Sequence, residues 1–155
     1  MAFTNRDYAK QLSDLVVNEV DPKVGYAREC INITAPAAGK AVRFGEVVFR
    51  AKSADPVAPY AVVTKAGDLA LTNEYAVVLG DHYGIADEFI PTAAGNAVTG
   101  NAVAFVRGLL QLKEYYIKQV AQDADGANLS DDDFAKLKGL LSKQDMIVEV
   151  TLNAQ

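Results

Sequence analysis

The stretch "DADGANLSDDDF", from Asp123 to Phe134, sets five aspartates within eleven residues around one glycine. Alternating carboxylates beside a glycine are the raw material of a calcium loop, which needs oxygen ligands at positions 1, 3 and 5, glycine at 6, an apolar residue at 8 and a bidentate carboxylate at 12. With Gly126 at position 6, Asp123 and Asp125 fall correctly. Ala121, however, takes position 1, Asn128 the apolar place and Asp132 that of the bidentate glutamate. Starting from Asp123 instead sends Phe134 to position 12. A helix start accounts for more of the residues. Ser130 is a favoured N-cap, Asp133 completes the box three residues on, and Asp131 and Asp132 meet the positive end of the helix dipole. The alternative is a weak structural cation site using Asp123, Asp125 and Asp131.

The single histidine, His82, stands in "LGDHYGIADEF" near Asp81, Asp87 and Glu88. Imidazole beside carboxylate is the pattern of a general base or a metal ligand. The sequence contains no second histidine, Gly-x-Ser-x-Gly elbow, Cys-x-x-Cys pair or glycine-rich phosphate loop to supply a nucleophile, a thiolate site or a phosphate cradle. Asp81-His82 after Gly80 therefore reads as a turn between strands. The expectation is a non-enzymatic chain with no cofactor and no metal. The alternative is a small enzyme centred on His82, with Asp81 or Asp87 orienting the ring. Cys30, alone in the alternating "ECINI", reads as a small buried side chain rather than a nucleophile.

A chain of 155 residues forms one core that buries roughly 70% of its unfolded surface. Residues 1 to 65 carry 9 basic and 7 acidic side chains, and residues 66 to 155 carry 6 and 13. An acidic C-terminal half opposes binding to phosphate backbones, so nucleic acid is not an expected partner. "MAFTNRDYAK" has charges by its sixth residue, and no later window approaches the ~20 apolar residues of a spanning helix, so neither a signal peptide nor a membrane partner is expected.

These candidate groups need a frame. Thr4 and Asp7 form a capping-box variant, and Tyr8, Leu12, Leu15 and Val16 then fall on one helical stripe that ends before Asp21-Pro22. The spacing predicts a helix from Thr4 to Val20, within an arm of residues 1–22 that docks on a sister subunit or another partner. Deleting residues 1–20 is then expected to leave a folded β domain. Residues 23–155 read as a single β-rich domain: "ECINI", "EVVFRA", "YAVVT", "EYAVVLG", "HYGIA", "AVAFVRG" and "LLQLKEYYIKQVA" are strand-like runs with turn signals between them. The last is favoured as a strand by its Tyr-Tyr-Ile content. Ser130 to Lys143 then predicts a helix, followed by the strand-like "MIVEVTL". The fold class is mainly β (α+β), a small antiparallel β-barrel or sandwich with an N-terminal amphipathic helix and a C-terminal helix followed by a strand. "AGNAVTGNAV" has little side-chain mass to bury and reads as a loop that becomes ordered against a partner, with Asn96 and Asn101 as contacts. The seven tyrosines, including Tyr26, Tyr60, Tyr75, Tyr83, Tyr115 and Tyr116, read mostly as core and sheet residues, some left for an interface.

The runs "AGKAVRFGEVVFRA", "EYAVVLGDHYGIADEF" and "TGNAVAFVRGLLQLKEY", with Gly45-Glu46-Val47-Val48 in the first, resemble the small decoration, or cement, proteins of tailed-bacteriophage capsids. The likeness covers roughly residues 39–120 and is one of texture and spacing. Neither terminal helix has a place in it. It implies a non-enzymatic virion protein, made in the host cytoplasm, that binds the outer face of the shell at junctions between major capsid protein subunits, commonly as a homotrimer. Another phage structural module, such as a tail or head fibre component, is the alternative.

Overall fold

In the computed structural model, which describes residues 11–19, 26–34, 36, 40–81, 83–91 and 100–150, a single helical turn α1 (Leu12–Leu15) runs directly into strand β1 (Val16–Glu19). The helix predicted through Val20 is thus corrected over Val16–Glu19, while Thr4, Tyr8 and Val20 lie outside the described residues. Tertiary pairing decides the matter: Val16, Asn18 and Glu19 lie in an antiparallel ladder opposite Leu112, Gln111 and Leu110, and the β-branched Val16-Val17 pair prefers a strand to a continued helix. Leu15 is fully buried in the main core, with Leu12 and Val16 packed against it.

The chain continues through β2 (Arg28–Ile31), β3 (Val42–Arg43), β4 (Val47–Ala51), β5 (Ala61–Val62), a 3-10 turn (Ala66–Asp68), β6 (Asn73–Asp81), β7 (Gly84–Ile85), β8 (Glu88–Phe89), β9 (Ala102–Phe105), β10 (Leu110–Lys113), α2 (Glu114–Val120), α3 (Asp131–Ser142) and β11 (Met146–Glu149). One sheet has the order β2-β9-β6-β4-β5 with β7 appended to β6, a second is β1-β10-β11, and β3 pairs with β8. The molecule is mostly β, and among the described residues none of the sheets closes into a barrel. The nearest approach is a single bridge between Ile33 and Tyr60, which joins the residues after β2 to those before β5.

Within the large sheet β6 is buried on both faces, which is why it reads as an unbroken apolar run rather than an alternating one. Tyr75, Val77 and Leu79 enter one core with Phe105, Leu112, Leu137 and Met146. Ala76 and Val78 enter the other with Val48, Ala104, Ile33 and Val42. The first core lies between the large sheet and a layer made of β1-β10-β11, α2 and α3, an arrangement compatible with a sandwich. Arg28 joins the layers: its guanidinium donates to both carboxylate oxygens of Glu19, at 3.0 and 2.5 Å.

Two sequence expectations for the C-terminal half are revised. Only Leu110–Lys113 of "LLQLKEYYIKQVA" is strand. Glu114–Val120 is helical because that conformation buries both Tyr116 and Ile117, with the Tyr116 ring edge-on to Phe44 at 5.5 Å. The pairing is also not antiparallel throughout: β10 and β11 run parallel, Leu110 opposite Met146 and Leu112 opposite Val148. Parallel neighbours require a long crossover, and α2 with α3 supplies it. The cap predicted for α3 is present. Ser130 Oγ accepts from the Asp133 N–H at 3.1 Å, and Phe134, Leu137, Leu140 and Leu141 are buried as their spacing predicts. Cys30 is exposed, contrary to expectation, because β2 is an edge strand of the large sheet.

Candidate binding site

Gly45 turns the chain sharply between β3 and β4. Its φ is +82°, and a Cβ there would lie 2.7 Å from Tyr116 Cε1, so glycine alone fits without strain. The turn carries Glu46 inward to 7% exposure. The Arg43 N–H donates to Glu46 Oε2 at 2.8 Å, and the Arg43 guanidinium reaches Glu46 Oε1 at only 3.4 Å while donating to the Val120 carbonyl at 2.6 Å. Glu46 Oε1 therefore keeps capacity to accept a further hydrogen bond.

Arg43 and Glu46 line a cleft of about 590 Å³, a volume typical of ligand sites. Val62 and Thr64 form one wall. The loop around Asp123 forms another, tied across by Lys40 Nζ donating to the Ala124 carbonyl at 2.8 Å. Glu88, in register with Arg43 across the β3–β8 pair, stands at the rim. The acidic loop contributes Asp123, Ala124 and Gly126 to the wall of the cleft. Asp123 Oδ1 accepts from the N–H groups of Asp125 and Ala127, both at 2.9 Å, and Asp131 pairs with Lys118 at 2.7 Å. Among the described residues no three acidic, histidine or cysteine side chains are grouped to hold a metal.

Burial raises the Glu46 pKa above its ordinary 4.5, and the Arg43 N–H and guanidinium offset this only in part. A carboxyl whose folded pKa exceeds its unfolded pKa contributes stability that is fully present below the unfolded value and is lost as pH rises through the folded value. Glu46→Gln has no proton to lose. The stability of wild type relative to Glu46→Gln should therefore fall as pH is raised from about 4 to about 7, measured by urea denaturation at constant ionic strength. Parallel stability curves for the two proteins would contradict this.

A second feature adjoins the cleft. β6 folds back as β7, Gly80 opposite Ile85 and Asp81 opposite Gly84, and the chain then enters β8. The hairpin closes tightly at Gly80, where an added Cβ would lie 1.9 Å from the Gly84 carbonyl oxygen. Asp81 Oδ1 accepts from the N–H groups of Tyr83 and Gly84, at 2.8 and 3.2 Å. In this segment Tyr83 is 87%, Ile85 47% and Ile90 63% exposed.

Among the described residues, the partner contacts expected from sequence are held in the body of the fold. Leu15 is committed to the core, and Leu12 and Val16 pack against it. Asn101 is 3% exposed, its amide accepting from the Ile33 N–H at 2.8 Å and donating to the Ile33 carbonyl at 3.0 Å, so it ties β9 to the segment after β2. Tyr8, Asn96 and His82 lie outside the described residues. The tyrosines divide: Tyr60, Tyr75 and Tyr116 are buried, whereas Tyr26, Tyr83 and Tyr115 are exposed. The Arg43–Glu46 pair was not picked out as a site. Its signal was an acidic residue opening the apolar run "VVF", three residues after an arginine. Comparison with protein-family models, curated proteins and solved structures returned no match.

Proposed function

We propose that the chain is a non-enzymatic structural protein of a tailed-bacteriophage head, bound to the outer surface of the shell at junctions between major capsid protein subunits. The observation that carries the reading is the β6–β8 turn. Three large apolar side chains, Tyr83, Ile85 and Ile90, stand exposed within eight residues on a backbone held by ladder pairing and the Asp81 carboxylate. Large apolar side chains left exposed close together in sequence suit a protein interface, and tyrosine is enriched at interface centres. The same segment belongs to the "EYAVVLGDHYGIADEF" run whose texture resembles capsid cement proteins, and that resemblance supplies the shell as partner and the homotrimer as the form that binds.

Mixing the purified protein with expanded, undecorated shells of the same phage and sedimenting them tests the reading. The protein is expected to pellet with the shells, saturating at a fixed ratio to the major capsid protein. Protein left wholly in the supernatant across a range of salt and temperature would contradict it.

A further inference from the structure

The cleft beside Glu46 combines one unpaired strand-edge residue, Val62, with an excess of acceptors. β5 is the last strand of the large sheet, and hydrogen-bonding direction alternates along a strand. Tyr60 spends its N–H on the Asn32 carbonyl at 2.7 Å and its carbonyl on the Thr34 N–H at 2.8 Å, on the side away from β4. Ala61 faces β4, opposite Phe49. Val62 then faces the same outer side as Tyr60. Its N–H and C=O have no protein partner among the described residues, and Val62 lines the cleft.

Charge on the walls is unevenly committed. The two cations are spoken for: Lys40 donates to the Ala124 carbonyl, and Arg43 to Glu46 and the Val120 carbonyl. The carboxylates are less so. Glu46 Oε1 has only its 3.4 Å contact with Arg43, and Glu88 stands exposed at the rim. An occupant that completes this site presents donors and positive charge.

We propose that the cleft seats an extended segment of a protein partner, which adds to the free side of β5 through Val62 and places an arginine or lysine side chain against Glu46 and Glu88. Strand addition supplies main-chain hydrogen bonds, and the pocket reads the alternate side chain. A basic side chain satisfies Glu46 at the point where burial makes an unmet acceptor costly, and the Arg43–Glu46 pair remains in place beside it. The site requires a protein partner and does not depend on that partner being a phage shell.

The test is an amide NMR titration of the isotope-labelled chain with four acetylated, amidated tripeptides: Val-Arg-Val, Val-Lys-Val, Val-citrulline-Val and Val-Glu-Val. The arginine and lysine peptides are expected to shift the amide signals of Glu46, Val62, Thr64 and Ala124 saturably. The citrulline peptide, which keeps the shape of arginine without its charge, should bind about tenfold more weakly, and the glutamate peptide should leave these signals unmoved. Glu46→Gln retains an acceptor for the Arg43 N–H and should weaken the arginine peptide about tenfold. Glu88→Gln is a rim change that leaves the core untouched and should weaken it by a smaller factor. Equal shifts from the citrulline or glutamate peptide would overturn the proposal, as would unchanged binding to both variants or an absence of saturable shifts from either basic peptide. Failure here with intact sedimentation on shells removes the cleft and leaves the proposed function standing.

Discussion

Leu15→Ala should lower the free energy of unfolding by about 2–5 kcal/mol, the range for emptying a fully buried leucine site. The side chain is 0% exposed and belongs to the cluster that contains Phe44, Leu112 and Tyr116. It also precedes β1, whose ladder with β10 fixes the edge of the three-stranded sheet. The neighbouring Val17 is 45% exposed, so Val17→Ala should stay within about 0.5 kcal/mol of wild type. Urea denaturation of both variants checks the pair. A Leu15→Ala protein as stable as Val17→Ala would mean that residues 12–19 are a detachable arm after all. A truncation of residues 1–20 should correspondingly cost the core Leu15 and the sheet one strand, rather than leaving the β domain intact.

That reversal shows where the sequence was legible. β6 could be read directly, because both of its faces are buried and Tyr-Ala-Val-Val-Leu has no other economical conformation. α3 could also be read, since its cap, acidic first turn and Phe134–Leu141 spacing all point the same way. Val16–Glu19 was obscured because Tyr8, Leu12, Leu15 and Val16 satisfy a helical period equally well, and only pairing with β10, almost a hundred residues later, selects the strand. α2 was obscured in the opposite sense: Tyr115, Tyr116 and Ile117 favour strands locally, yet burial of Tyr116 against Phe44 across the core outweighs that preference. Cys30 depended on which strand lies at an edge, and local pattern does not encode edge position. The same holds for the cleft. Arg43, Glu46, Val62 and Asp123 are distant in sequence, and the fold assembles them.

The largest effect on binding is expected at the β6–β8 turn. Tyr83→Ala combined with Ile90→Ala should weaken attachment to shells by roughly 30-fold or more, corresponding to the ~2 kcal/mol typical of an interface hot spot. Both side chains are mostly exposed, so the double variant should melt within a few degrees of wild type. Saturation binding measured by sedimentation, alongside a thermal melt, separates lost contact from lost fold. A stable double variant that still binds with wild-type affinity would exclude this turn from the interface.

The proposed location is the outer face of a phage shell, where major capsid protein subunits meet, with the Tyr83–Ile90 segment against the shell. Electron cryomicroscopy of expanded shells, imaged before and after saturation with the protein, tests it most directly. The expected result is added density at subunit junctions on the outer surface, fitted by the two-layered β domain with its Tyr83–Ile90 segment against the shell. Saturated shells with no added density, or density only at a tail or fibre attachment site, would contradict it.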